Sequence, residues 1–214
     1  MSGRLRDGVL AALPLAPGPL LFGASFGLLA ADAGMSWAAA VLMSATTFAG
    51  SAQFAAASVL ETGGGAAAAI VAAVLLNARY VPLSVAVASI FPGSRRRRLF
   101  ESQLIVDESW ALAGRSGRFE YAVLVGAGLL FYVLWVAGTA AGTLVGDLLD
   151  PEAIGLDAAF PALFLALLFP YVRARRSLVA AVLAAAITFA LIPVAPPGVP
   201  LVVAALACFV GLRR

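Results

Sequence analysis

An all-α, polytopic transmembrane bundle is the fold class that the sequence predicts, and three observations predict it. Of the 214 residues, 63% are hydrophobic and only 12% are charged, and the mean hydropathy of +1.02 lies well outside the range of water-soluble domains. The apolar residues gather in runs long enough to cross a bilayer, and the arginines sit in short clusters between those runs. No soluble domain, long linker or internal repeat interrupts the pattern, so residues 1–214 read as a single integral-membrane domain.

The same composition removes several function classes. Histidine is absent, and with it the usual imidazole base and metal ligand; Cys208 is the only cysteine, so an internal disulfide is impossible. No nucleophile with a matching base stands out, and the chain is therefore expected to be neither an enzyme nor the carrier of a cofactor or metal. The net charge of +3 comes from arginines placed as membrane topology demands, so no nucleic-acid partner is expected.

Taken in order, the first apolar run is Gly8 to Ala31, preceded by Arg4 and Arg6 and broken by Pro14, Pro17 and Pro19. It is too long for the apolar region of a signal peptide and is read as a first span. Ser36 to Leu60 follows, with Thr46, Thr47, Gly50, Ser51 and Gln53 at its centre, a polar and glycine-bearing place for one half-helix to end and another to begin. Ala66 to Phe91 carries Asn77 and Arg79 near its middle, and Pro82 cannot donate to the carbonyl of Ala78, so the helix should loosen there. After Arg95 to Arg98, the stretch Leu99 to Gly114 is about 16 residues, which at about 1.5 Å each falls short of the roughly 30 Å hydrocarbon core. A clean run from Tyr121 to Gly146 precedes an acidic loop, and Ala158 to Val172, Leu178 to Val194 and Val199 to Leu212 complete the chain.

Arginines concentrate on the cytoplasmic side of membrane proteins. If every run crosses fully, giving eight spans, Arg95 to Arg98 are stranded outside while Arg4 and Arg6 are inside. If Ser36 to Leu60 and Leu99 to Gly114 each enter and leave on the same side, every arginine except Arg79 is cytoplasmic. The expectation is therefore six full spans plus two re-entrant or broken segments, with the N-terminus in the cytoplasm. Gly138, Gly142 and Gly146 recur every four residues, and Gly23 with Gly27 makes a second small-xxx-small pair, so these glycines are expected to pack helices closely.

Three polar islands remain in apolar surroundings: Thr46 to Gln53, Asn77 to Ser84, and Asp107 to Ser109. A guanidinium in mid-membrane costs about 2.5 to 3.5 kcal/mol on insertion scales, and such a residue reads as functional by default. Half-helix N-termini bind anionic groups and unwound carbonyls bind cations. Together the islands suit a zwitterion, its carboxylate on Arg79 or on a half-helix start near Gly50 and its ammonium on Asp107 or Glu108. The substrate set is Thr47, Phe48, Gly50, Ser51, Gln53, Asn77 and Arg79, with Phe48, Phe54 and Trp110 as apolar walls. In a chain without histidine, proton coupling would fall to Asp107 and Glu108, the deepest carboxylates; the plainer alternative makes one of them only the counter-ion of Arg79.

At these islands the chain resembles the AzlC-like family, the large subunits of two-component branched-chain amino acid exporters. The residues that carry the resemblance are Phe48-Ala49-Gly50-Ser51-Ala52-Gln53-Phe54, Leu76-Asn77-Ala78-Arg79-Tyr80 and Asp107-Glu108-Ser109-Trp110-Ala111-Leu112, with the proline-rich first span and Pro161-Ala162-Leu163-Phe164. The resemblance implies a secondary transporter in the cytoplasmic membrane of a bacterium or archaeon, driven by the proton motive force. It further implies export of valine, leucine, isoleucine or methionine together with a small AzlD-like membrane subunit. One departure is visible: the family usually has histidine where this chain has Tyr80, which leaves more of any proton role to the carboxylates. Without the resemblance, a channel for a small polar solute and a non-transporting scaffold remain open.

Overall fold

The computed structural model describes residues 2–61, 63–115, 118–145, 165, 169, 172, 175–195 and 199–207. Gly146, the acidic loop after it, the stretch Pro161 to Phe164 and Cys208 lie outside the described residues, as does nearly all of Ala158 to Val172. Apart from a small antiparallel hairpin pairing Gly114–Arg115 with Arg118–Phe119, all regular structure among the described residues is helical. Two helical runs there, Ala66–Ile90 and Tyr121–Val145, are each long and apolar enough to cross a membrane. A third span is available if the bent pair Leu5–Leu15 and Pro17–Asp32 is taken as one.

The helices, numbered in chain order, are α1 (Ser2–Ala12), α2 (Pro17–Asp32), α3 (Trp37–Thr47), α4 (Gly50–Glu61), α5 (Ala66–Asn77), α6 (Tyr80–Val87), α7 (Arg95–Ser102), α8 (Asp107–Ala113), α9 (Tyr121–Val145), α10 (Arg175–Leu191) and α11 (Val199–Ala204). Their ends follow from local chemistry. Ser36 caps α3 by accepting from the Ala39 N–H at 3.2 Å, and Ser94 caps α7 by accepting from the Arg97 N–H at 3.4 Å. Gly34 at φ 76° and Gly63 at φ 80° turn the chain after α2 and α4, where a side chain would strain the backbone.

The first apolar run does not form one straight helix. A 3₁₀ turn at Leu13–Leu15 separates α1 from α2, and the two helices meet at 65°. Pro14 and Pro17 withhold N–H donors at the junction, and Pro17 takes the first helical position, where the missing donor costs nothing. Ser36 to Leu60 is likewise two helices, because Phe48 adopts φ 38° and ends α3 before α4 begins at Gly50. Within Ala66–Ile90 the interruption falls at Ala78 and Arg79: the Ala78 carbonyl, which Pro82 cannot serve, accepts instead from the Val81 N–H at 3.2 Å. Leu99 to Gly114 is also divided, between the end of α7 at Ser102 and the start of α8 at Asp107.

α9 is the unbroken element on which α1, α2, α3 and α8 are assembled. α2 lies along it at backbone contact: a Cβ on Gly23 would run into the Trp135 carbonyl, on Gly27 into that of Thr139, on Gly138 into that of Leu20, and on Gly142 into that of Ala24. Association in lipid gains nothing from hiding apolar surface, so such close backbone approach is what lets dispersion and dipole contacts hold the pair. α3 is pinned to α9 by side chains. Trp37 Nε1 donates to the Ala140 carbonyl at 3.1 Å and Tyr132 Oη to the Ala45 carbonyl at 2.9 Å. Between them, Thr139 Oγ1 donates to the Trp135 carbonyl at 3.0 Å and accepts from Ser44 Oγ at 2.8 Å. Gln53 Nε2 then donates to Ser44 Oγ at 2.8 Å, while Gln53 Oε1 accepts from the Ala49 N–H at 3.2 Å. Ser44, Gln53 and Thr139 are fully buried, so this network fixes the α3–α4 break against α9 without an unpaired group.

Candidate functional site

The four helix interruptions open onto one cavity of about 250 Å³. Pro14, Leu15, Pro17, Gly18 and Pro19 come from the first break, and Phe48, Gly50 and Ser51 from the second. Arg79 and Tyr80 come from the third, and Val106, Asp107 and Glu108 from the fourth. In each case the lining residues include the first residues of the helix that follows, so α2, α4, α6 and α8 all begin at the cavity wall. The start of α4 is the one with a clear set of unpaired N–H groups and hence a partial positive charge of about half an electron, since Pro17 and Pro19 leave the start of α2 short of donors and α6 follows directly on α5. The rest of the lining is aromatic: Phe22 of α2 and Phe131 and Trp135 of α9.

The charged centre is an ion pair between Arg79 Nη2 and Asp107 Oδ2 at 2.9 Å, with the two side chains 33% and 29% exposed. Tyr80 supports the guanidinium, accepting from Nη2 at 3.2 Å and placing its ring 5.0 Å beneath. α8 is held in place by Ser109, whose Oγ accepts from the Val106 N–H at 3.0 Å and donates to the Leu104 carbonyl at 2.7 Å. Asp107 and Glu108 then occupy the first turn of α8, where carboxylates oppose the dipole of their own helix. The arrangement offers a cation paired to a carboxylate, a second carboxylate, convergent N–H groups and an apolar wall within a space suited to a small amphoteric molecule.

Of the residues singled out from the sequence, Phe48, Gly50, Ser51, Arg79, Asp107 and Glu108 line the cavity. Thr47, Gln53 and Asn77 do not: Thr47 ends α3, Gln53 belongs to the network with Ser44, and Asn77 ends α5. Two of the expected apolar walls face elsewhere. Phe54 packs edge-on against Phe26 at 5.9 Å between ring centres, and Trp110 against Phe119 at 4.9 Å. Their place is taken by Phe22, Phe131 and Trp135. The signal for the last two was present, since 131, 135, 138 and 142 repeat at helical spacing and extend the face of Gly138 and Gly142.

Comparison with known proteins adds an independent observation. A family profile described as AzlC protein matches residues 14–149, a range that contains every residue lining the cavity. The chain belongs to the AzlC family. This AzlC-family chain is 31% identical over 184 residues to a membrane protein of Archaeoglobus fulgidus, covering 81% of the chain and 78% of that relative. It is 28% identical over 154 residues to a membrane protein of Helicobacter pylori, covering 70% and 68%. It is also 27% identical over 161 residues to the branched-chain amino acid transport protein AzlC of Bacillus subtilis, covering 72% of the chain and 62% of that protein. No solved structure matches it. Like these relatives, the AzlC-family chain is a membrane protein, and its apolar helices agree with that.

Proposed function

We propose that this chain is the large subunit of a secondary transporter that exports branched-chain amino acids across the cytoplasmic membrane, driven by the proton motive force. The observation that carries the reading is the convergence of four helix starts and the Arg79–Asp107 pair on one small cavity with aromatic walls. Ligand pockets for drug-sized molecules run from about 300 to 1,000 Å³, so a space of about 250 Å³ suits something smaller, such as valine, leucine, isoleucine or methionine. Broken helices around a central site are a recurring construction of secondary transporters. The name of the Bacillus subtilis relative points to the same substrate class.

In this reading the ammonium group approaches Asp107 and Glu108, the side chain lies against Phe22, Phe131 and Trp135, and Ser51 and Gly50 contribute polar contacts. Glu108, beside the ion pair but not part of it, takes and releases the coupling proton. A small AzlD-like membrane subunit completes the transporter. The chain crosses the membrane six times, Ser36 to Leu60 and Leu99 to Gly114 enter and leave on one side, and the N-terminus is cytoplasmic.

Amino acid efflux from cells loaded with leucine- or valine-containing dipeptides tests the function. Expression of this chain with a small subunit should accelerate efflux, and collapse of the proton gradient should stop it. Efflux identical to that of cells lacking the chain defeats the proposal. Cysteines placed among Arg95 to Arg98 should resist periplasmic labelling; ready labelling there defeats the six-span topology.

A further inference from the structure

The cavity has two places for an anionic group, Arg79 and the start of α4, and they are not equivalent. Arg79 is already engaged, by Asp107 at 2.9 Å and by Tyr80 at 3.2 Å. With Glu108 counted, the formal charge at that end is −1 when both carboxylates are ionised and zero when Glu108 is protonated. In neither state does a net positive charge remain to draw a second carboxylate.

At the start of α4 the balance is reversed. The first bond within this 12-residue helix runs from the Gln53 N–H to the Ala49 carbonyl at 3.0 Å, so the N–H groups of Gly50, Ser51 and Ala52 have no acceptor within the helix. Ser51 Oγ and the indole Nε1 of Trp135, both on cavity-lining residues, are buried and have no hydrogen-bond partner among the described residues. Trp135 is only 7% exposed, and its Nε1 is a donor with no capacity to accept. A buried orphan donor is unfavourable until something accepts from it, and native proteins rarely leave one without a reason. The arrangement lacks an acceptor, and a carboxylate supplies several lone pairs at once.

Resting on the transport reading for its substrate, we infer that the carboxylate of the amino acid is held by uncharged donors, namely the first N–H groups of α4, the Ser51 hydroxyl and the Trp135 indole. Arg79 instead holds Asp107 in place for the ammonium group. Trp135 thereby gains a role in selecting for a carboxylate, in addition to forming part of the apolar wall. The unbroken helix α9 presents this donor from a fixed position while α4 supplies the N–H groups.

Two half-substrates separate the ends of the molecule: 4-methylpentanoate keeps the carboxylate and the isobutyl group, and 3-methylbutylamine keeps the amine in place of it. Binding of each to the full chain in lipid nanodiscs is measured by calorimetry for the native protein, Ser51→Ala and Trp135→Phe. Each substitution removes one hydrogen bond to a charged group, which is worth about tenfold in affinity. The expected result is about tenfold weaker binding of 4-methylpentanoate by both variants, with 3-methylbutylamine unchanged within about twofold in Ser51→Ala and weakened clearly less than the carboxylate probe in Trp135→Phe, which also trims the apolar wall. Ser51→Ala is small enough to stand if Trp135→Phe proves poorly folded. Equal weakening of both probes, no change in either, or no binding of 4-methylpentanoate by the native protein overturns the inference. So does loss of 4-methylpentanoate binding in Arg79→Gln/Asp107→Asn alone. Failure of leucine efflux in cells, with the carboxylate probe still bound in this way, would count against the transport reading and leave the anion subsite standing.

Discussion

Two helical runs of the same length have opposite roles. Ala66–Ile90 and Tyr121–Val145 each comprise 25 residues of similar hydropathy, yet over their most apolar stretch 11% of the first is buried and 56% of the second. The second is one continuous helix, meets α2 through glycines and is joined to α3 through Trp37, Tyr132 and Ser44. The first is interrupted at Ala78 and Arg79 and carries half of the ion pair. Hydropathy alone therefore does not separate a scaffold from a working element. What separates them is the placing of particular polar groups: Tyr132 and Thr139 of α9 bond to α3, whereas Arg79 and Tyr80 of the interrupted run line the cavity.

The largest expected effect comes from forcing the scaffold apart. Gly142→Leu drives a side chain into the Ala24 backbone, which cannot yield as a flexible side chain would, and should cost about 3 kcal/mol or more. Thermal unfolding in detergent should show little folded protein; a native-like melting temperature would mean that α2 and α9 are not in close contact. Next comes the ion pair. Arg79→Gln leaves Asp107 uncompensated, and because both side chains are about one-third exposed the cost should be about 2 kcal/mol, below that of a fully buried pair. The double variant Arg79→Gln/Asp107→Asn should recover part of that loss; strict additivity in the double-mutant cycle would show that the pair is not coupled.

Ser44→Ala should cost about 1 to 2 kcal/mol, since it strands Gln53 Nε2 and removes the donor to Thr139. Its destabilisation should appear without any change in the affinity for 3-methylbutylamine, separating the network from the cavity. The smallest effect belongs to the other run. Gly65 begins α5 in extended conformation with open space around its Cα, and Gly65→Ser should be neutral or stabilise by a few tenths of a kcal/mol. A loss comparable to that at Gly142 would erase the distinction between the two runs.

Much of this arrangement is legible in the sequence. Arg79 and Asp107 stand out because charge in apolar surroundings needs a partner, and the glycine spacing at 23, 27, 138 and 142 announces close packing. Pro82 marks the interruption at Ala78. Less legible is any feature that depends on the rotation of one helix about its axis relative to another. Phe54 and Trp110 have the composition of cavity walls but face Phe26 and Phe119, and Gln53 looks like a binding residue until Ser44 and Thr139 are seen beside it. The bend of the first run is similar: the prolines indicate that a break exists, but not its 65° angle, with which α1 and α2 both pack against α9.

The convergence of helix starts has a further consequence. The positive ends of α4 and α8 meet the same small volume, and Asp107 and Glu108 are the carboxylates on its lining that offset them. In the proposed mode of binding, a substrate carboxylate would take over part of that duty and free an acidic side chain to turn toward an amine or to accept a proton. Under that proposal, loading of the cavity would be an exchange of counter-charges, with the arrival of the substrate supplying the energy that shifts the acids.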